Sequence, residues 1–419
     1  MSVASLEFLV CLWIAAALFF HLPPGWPRRA VLAIGNLAFI GLLIPNAASA
    51  VALALFLLAG YFAGLLLQAR PRGATLAVYL TVLVASFIVV QKYSFLAWLG
   101  LGQAAAHSIS IVGLSYILFR QIHFAVDAMQ GQIARPSLWA YVNYQLNLFA
   151  LLAGPIQRYQ EFEKYWKAPE PAVSDRHEVL QAHLRVLIGV IKIAAFGAVL
   201  LFGRDKLWGQ LLDIAKDPHF SSRLSALARF AVVFYAYPAY VYFNFSGYCD
   251  IVIGGASLLG QRLPENFDRP YLSRNMIDFW TRWHRTLGFW IRDYLFMPMY
   301  KLAAEKTPRH AASLAFLCYF VAFLLAGIWH GTTSNYAVFG ALHGAGASAT
   351  KIWERILVRR GGRAGLRRYL ESRPVRWIAI VATGHFVCFS MIFFSADLRE
   401  CVPVLRMVGT ALVPWSGAW

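Results

Sequence analysis

Charge is scarce in this sequence, and acid is scarcer than base. Charged residues make up 14% of the 419, with 20 Asp and Glu against 38 Lys and Arg. Soluble domains carry about 25% charged residues, so a soluble enzyme is excluded. Cysteine is thin as well: Cys11, Cys249, Cys318, Cys388 and Cys401 are odd in number and scattered. No CxxC pair and no His–Cys cluster occurs, which excludes a disulfide framework and a zinc finger. These thiols read as apolar filler. Internal repeats and low-complexity segments are absent too. Lys and Arg are missing ahead of the first apolar run, where Glu7 stands instead. A cleaved secretory leader starts with positive charge, so that run is expected to remain as a first membrane span.

What the chain has in abundance is apolar length. Hydrophobic residues form 59% of it and aromatics 15%. Apolar runs lie near 6–21, 30–45, 49–68, 74–90, 109–125, 138–156, 183–203, 227–243, 311–329, 335–350 and 377–395. At about 20 apolar residues per span, they predict an all-α polytopic membrane protein with about 11 transmembrane helices. A further short run lies near 403–415. Several runs are shorter than a full span and are expected to tilt, thin the bilayer or re-enter. Spans this dense pack into one bundle, so residues 1–419 are expected to form a single integral-membrane domain. Polar insertions at 157–182 and 261–310 interrupt the pattern, the second with re-entrant or interfacial helices.

The net charge of +18 needs a place. Lys and Arg collect in loops left on the cytoplasmic side, which accounts for the basic balance without nucleic acid. The most basic stretch is "KIWERILVRRGGRAGLRRYLESRPVRW", Lys351 to Trp377. It is expected in the cytoplasm, where it also suits an acidic partner or the phosphates of a carrier. Parity then runs the helix at 335–350 inward and puts the loop at 330–334 on the outer side. His330 is expected at the outer end of its helix or in a cavity opening outward.

Four stretches carry chemistry-bearing residues. In "FWTRWHRTLGFWIRDYLFMPMY", Phe279 to Tyr300, an aromatic stripe of Trp280, Trp283, Trp290 and Tyr294 follows helical spacing. Arg282, Arg285 and Arg292 fall on another stripe. That predicts an amphipathic helix in the headgroup layer. His284 lies between the two faces, as a structural hydrogen-bond donor or a site residue. "NFSGYCDIVIGG" places Asp250 in an apolar helix, where a carboxylate costs roughly 3 kcal/mol unless paired or solvated. A structural partner, an arginine or a backbone amide, and a direct chemical role are equally open. "LLAGPIQRYQEF" breaks a helix at Gly154–Pro155, ahead of Arg158. In "AGIWHGTTSNYAVFGALHG", Ala326 to Gly344, His330 ends an apolar run and a small polar turn follows. A helix cap or an interfacial histidine is the plain explanation. A neutral imidazole in an apolar setting is the other, because it can accept a proton. His343 would lie about 220° around a continuous helix from His330. No nearby carboxylate or cysteine completes a ligand set, so no metal site is expected.

Together with "GLSYILFRQIHFAVD" and "FSGYCDIVIGGASLLGQRLPENFDRPYLSRNMIDFW", these stretches resemble the membrane-bound O-acyltransferase (MBOAT) family. They look most like its bacterial branch of alginate O-acetylation proteins and teichoic acid D-alanyl transferases. The resemblance makes 109–395 an MBOAT-like core, 1–108 a variable N-terminal set of helices and 396–419 a C-terminal segment. It implies a ring of tilted helices around a thin, funnelled centre. The family's catalytic histidine falls on His330 and its second motif histidine on His284. The expected site is therefore His330 and His284 as catalytic residues, with Trp283, Arg285, Asn335 and Asp250 binding substrate. His343 stays a structural candidate.

The implied function is an O-acyltransferase of the bacterial cytoplasmic membrane. Its donor is a cytoplasmic thioester, acetyl-CoA or a phosphopantetheinyl carrier protein, and no cofactor is bound permanently. Its acceptor is a hydroxyl of an exported envelope polymer or of an acyl-relay protein. Acetyl transfer is favoured, and D-alanyl transfer to a teichoic-acid-type acceptor is the alternative. Partners are the donor, the extracytoplasmic acceptor and membrane lipid, with no nucleic acid. A transporter is the reading from another class. Its usual pair of related halves with matching broken helices is not seen in the sequence.

Overall fold

A computed structural model describes residues 3–91, 110–167, 175–216 and 223–412. Among them the regular secondary structure is helical throughout, with no strand. Lipid forces this choice, because a helix satisfies its own backbone where water is absent. Six helices among the described residues are long and apolar enough to cross a membrane: Ala47–Ala69, Gly73–Gln91, Arg176–Lys216, Arg223–Leu258, Ser313–His330 and Arg373–Ser395. The run near 6–21 forms the shorter apolar helix Leu6–His21. Of the last run, 413–415 lie outside the described residues.

The chain divides into two compact units, Met1–Ile191 with Phe245–Asn266, and Lys192–Asn244 with Phe267–Trp419. The first holds α1 (Leu6–His21), α2 (Trp26–Leu43), α3 (Ala47–Ala69), α4 (Gly73–Gln91), α5 (Leu114–Met129), α6 (Leu138–Gln145), α7 (Tyr159–Lys167) and α8 (Arg176–Ile191). Side-chain oxygens of Ser5, Asn46 and Ser137 cap α1, α3 and α6, meeting donors that the first helical turn leaves unpaired.

The expected helix at 138–156 stops early, at Gln145. Polar side chains divert its backbone. The buried Arg120 donates to the carbonyls of Tyr144 and Gln145 at 3.0 and 2.6 Å, as a buried charge requires. The Asn147 side chain accepts from the Phe149 N–H at 3.2 Å, a local bond that competes with helix.

The second unit holds α9 (Ala198–Lys216) and most of α10 (Arg223–Leu258), whose C-terminal part from Phe245 belongs to the first. It continues with α11 (Met276–Arg282), α12 (Arg285–Ile291), α13 (Met297–Lys306), α14 (Ala311–His330), α15 (Ser334–Glu371), α16 (Arg373–Ser395) and α17 (Leu398–Leu412). The stretch from Phe279 to Tyr300 is therefore not one amphipathic helix. It breaks at Trp283–His284 and passes through a π-helical turn at Arg292–Phe296 before α13.

α14 and α15 form an antiparallel hairpin around small residues. A Cβ on Gly340 would collide with the backbone of Gly327 and Phe323, and one on Gly344 with that of Phe320. The "GALHG" segment thus works as a small-xxx-small seam, letting two backbones approach where lipid gives no hydrophobic drive.

Candidate active site

The site grows from the tip of that hairpin. α14 ends on His330, residues 331–333 turn, and α15 starts at Ser334. The Tyr336 ring occupies the space that a side chain on Gly331 would fill. That close approach explains the glycine after the histidine. The His330 ring is half-buried among aromatic neighbours. Trp329 lies at 4.6 Å between centroids, and Phe394 and Phe339 stand roughly perpendicular to the imidazole at 5.2 and 6.1 Å.

Beside this tip, Asn335 is buried, with 3% of its surface exposed. Its amide nitrogen donates to the Phe393 carbonyl at 3.0 Å, and its Oδ1 finds no partner among the described residues. A buried acceptor left open suits a ligand that brings a donor.

His284 joins the site from the break between α11 and α12. Its backbone is left-handed, with φ 43° and ψ 50°. Such strain in a non-glycine residue costs roughly 1–2 kcal/mol and must be held by neighbours. Trp283 does the holding. Its N–H donates to the Phe279 carbonyl at 2.7 Å, and its ring stacks on Phe279 at 5.6 Å and stands edge-on to Phe267 at 5.1 Å. On the other side the His284 carbonyl accepts from the Gly288 N–H at 3.0 Å. The imidazole is 3% exposed. Burial pushes its pKa down to about 3, and the His330 ring is near enough for its charge to push the same way. The two histidines thus lie within electrostatic reach of one another.

Arg285 follows directly. Its guanidinium lies over the Phe289 ring at 5.8 Å, and its buried Nε has no hydrogen-bond partner among the described residues. Trp283 is fully packed in the aromatic cluster, so it shapes the site from behind.

His343 is placed otherwise. The Trp280 Nε1–H donates to its Nδ1 at 3.2 Å, and its Nε2 lies 2.7 Å from Ser390 Oγ. Its ring packs on Phe339 at 4.2 Å. Ser390, Phe339 and Phe394 support the site without having been singled out in the sequence. Ser390 is one of two serines in the apolar run of α16, a weak signal.

Asp250 belongs to the first unit. Its carboxylate accepts from Arg185 Nε at 3.1 Å, while the same guanidinium grips Glu265 with both terminal nitrogens at 2.6 Å. An arginine partner for Asp250 is thus present. Among the described residues no three His, Cys, Asp or Glu side chains gather as a metal set.

Comparison with known proteins adds to this geometry. The model of the membrane-bound O-acyltransferase family matches residues 68–392. A teichoic acid D-alanyltransferase of Bacillus subtilis is 28% identical over 302 residues, covering 68% of this chain and 69% of that protein. That of Lacticaseibacillus rhamnosus is 27% identical over 338 residues, 78% of each. A probable alginate O-acetylase of Pseudomonas fluorescens is 28% identical over 292 residues, 70% of this chain but 52% of its own length. The chain belongs to the membrane-bound O-acyltransferase family and is a multi-pass acyltransferase of the bacterial cytoplasmic membrane.

Proposed function

We propose that the chain moves a small acyl group from a cytoplasmic thioester to a hydroxyl of an exported envelope polymer or of an acyl-relay protein. The observation that carries this reading is the tip of α14. His330 stands among aromatic rings at one end of the turn and Asn335, with its open Oδ1, at the other, while His343 has both nitrogens engaged. In the step, the acceptor oxygen attacks the thioester carbonyl as His330 takes its proton. The new ester C–O bond forms, the C–S bond breaks, and the leaving thiolate takes back the proton held by His330. A thioester is already activated, so the step calls for a base and an oriented hydroxyl. A general base contributes roughly 10²–10⁴-fold. Asn335 orients the hydroxyl, His284 supports the base, and Arg285 supplies positive charge toward the substrate.

Acetyl from acetyl-CoA is the first reading for the acyl group. D-alanyl from a phosphopantetheinyl carrier is the second. It is favoured by the D-alanyltransferases, which match over about the same share of their length as of this chain. The basic stretch Lys351–Trp377 suits the phosphates of either donor. Mild alkaline release of esters from cells with and without the gene decides the group by yielding acetate or D-alanine. Release of neither, with the gene expressed, overturns the proposal. Cells carrying His330→Ala should match the deletion.

A further inference from the structure

A cavity in the second unit is lined by none of the site residues named above, though its floor residue Phe386 lies 6.2 Å from the His343 ring. α15 does not run straight: Gly362, at φ 64°, breaks it into two arms. The second arm folds back until Tyr369 stands 6.2 Å from Trp353 on the first. Between the arms, the start of α11 and one side of α16 lies a cavity of about 660 Å³. Its floor is apolar, with Met276, Leu366, Ala379 and Phe386, and its rim carries Arg274 and Arg376.

The rim has uncompensated positive charge. Arg376 is exposed and has no side-chain partner among the described residues. Among the described residues the Arg274 guanidinium donates only to the Leu370 carbonyl, at 3.3 Å, while its backbone N–H donates to Asp278 Oδ2 at 3.0 Å. Glu354, the acid that lines the cavity, is taken by Lys351 at 2.8 Å. Asp278, one turn along α11, is taken by Arg282 at 2.7 Å. The first turn of α16 adds the positive end of a helix dipole beside Arg376.

The floor opens toward lipid. Ile378 lines the cavity and is 70% exposed, and Trp377 and Val381 beside it are 62% and 55% exposed. An apolar face exposed on a membrane span faces acyl chains. A soluble anion has no use for such a floor, and a zwitterionic lipid would bring a cation up to two arginines. We propose that this cavity binds an anionic phospholipid, with its phosphate at Arg274 and Arg376 and an acyl chain along the floor. The basic break in α15 then anchors the enzyme to anionic lipid, and basic residues at a membrane surface attract such lipid in general.

The test is native mass spectrometry of the detergent-purified protein with phosphatidylglycerol, phosphatidylcholine of the same chains, glycerol 3-phosphate and coenzyme A. Phosphatidylglycerol should stay bound where the other three do not. Each arginine contributes roughly fivefold, so the Arg274→Gln/Arg376→Gln double variant should bind phosphatidylglycerol about thirtyfold more weakly. Ala379→Trp, which fills the floor, should also lose it while keeping its melting temperature. Should the double variant fail to fold, Arg376→Gln alone, at an exposed position, gives the fivefold effect. Equal retention of both phospholipids overturns the proposal, as does an unchanged affinity in the variants. Retention of coenzyme A with loss of lipid would make the cavity a donor vestibule and overturn it too.

Discussion

The indole N–H of Trp280 donates to Nδ1 of His343 at 3.2 Å, and this fixes how the His343 ring is used. With Nδ1 accepting, the ring's proton sits on Nε2, 2.7 Å from Ser390 Oγ. Ser390 passes its own proton to the Val387 carbonyl at 2.8 Å. Both nitrogens of His343 are consumed by structure. Its ring then supports Phe339, which stands against His330.

Removing each histidine should therefore fail differently. His330→Ala should cut acyl transfer by roughly 10²–10⁴-fold with little change in melting temperature. His343→Ala leaves a cavity and strips two buried groups of a partner, so it should destabilise by about 2–4 kcal/mol. Transfer per folded molecule should fall far less than in His330→Ala. Thermal melts in detergent alongside labelled-donor assays separate the two. A stable His343→Ala with no activity would refute the assignment.

His284 makes two further demands. Burial holds its folded imidazole near pKa 3, against about 6.5 in the unfolded chain. Between those values the unfolded chain binds the extra proton. The His284 contribution is thus full above about pH 6.5 and is lost as pH falls toward 3. His284→Asn, whose short polar side chain tolerates left-handed backbone, should show a smaller fall in melting temperature than wild type from about pH 6.5 to 4.5. His284→Gly should also melt higher than His284→Ala, because only the alanine meets the left-handed strain of roughly 1 kcal/mol. Both should lose transfer less completely than His330→Ala. Equal loss would mean a shared chemical role.

Some of this was legible in the sequence and some was not, for physical reasons. The ends of α14 and α16 fall within a few residues of the apolar runs at 311–329 and 377–395, because burial in lipid selects on composition alone. The break at His284 left no such mark. Its aromatic spacing fits a continuous helix, and one ring packed on Trp283, that of Phe267, comes from sixteen residues earlier. The same holds for His343, whose partner Ser390 comes from another helix. The hairpin seam was readable in principle, since Gly340 and Gly344 sit one turn apart. The resemblance singled out His330 and His284, and the charge of the first reaches the buried ring of the second.

Asp250 offers a test of support against substrate contact. Arg185 holds it in a cluster with Glu265 that is partly exposed, with side chains 29%, 15% and 49% accessible. Such pairs are discounted by solvent to about 0–1 kcal/mol. Asp250→Asn should lower the melting temperature slightly and leave the acceptor KM unchanged. A raised KM with an unchanged melt would return Asp250 to the substrate.

The last expectation concerns the sign of a glycine substitution. Replacing an exposed helical glycine by alanine usually stabilises by about 1 kcal/mol. Gly209 in α9 meets nothing within 4 Å of an added Cβ, so Gly209→Ala should raise the melting temperature. Gly340→Ala should do the opposite. Its Cβ would meet the backbone of Gly327 and Phe323, which cannot rotate away as a side chain can. Overpacking of this kind costs about 1–3 kcal/mol. It also pushes α14 off α15, moving His330 against the turn that holds Asn335. Gly340→Ala should therefore lose both melting temperature and transfer rate, while Gly209→Ala keeps its rate. If Gly340→Ala melted higher than wild type, the close approach of the two helices would be wrong, and with it the placing of His330.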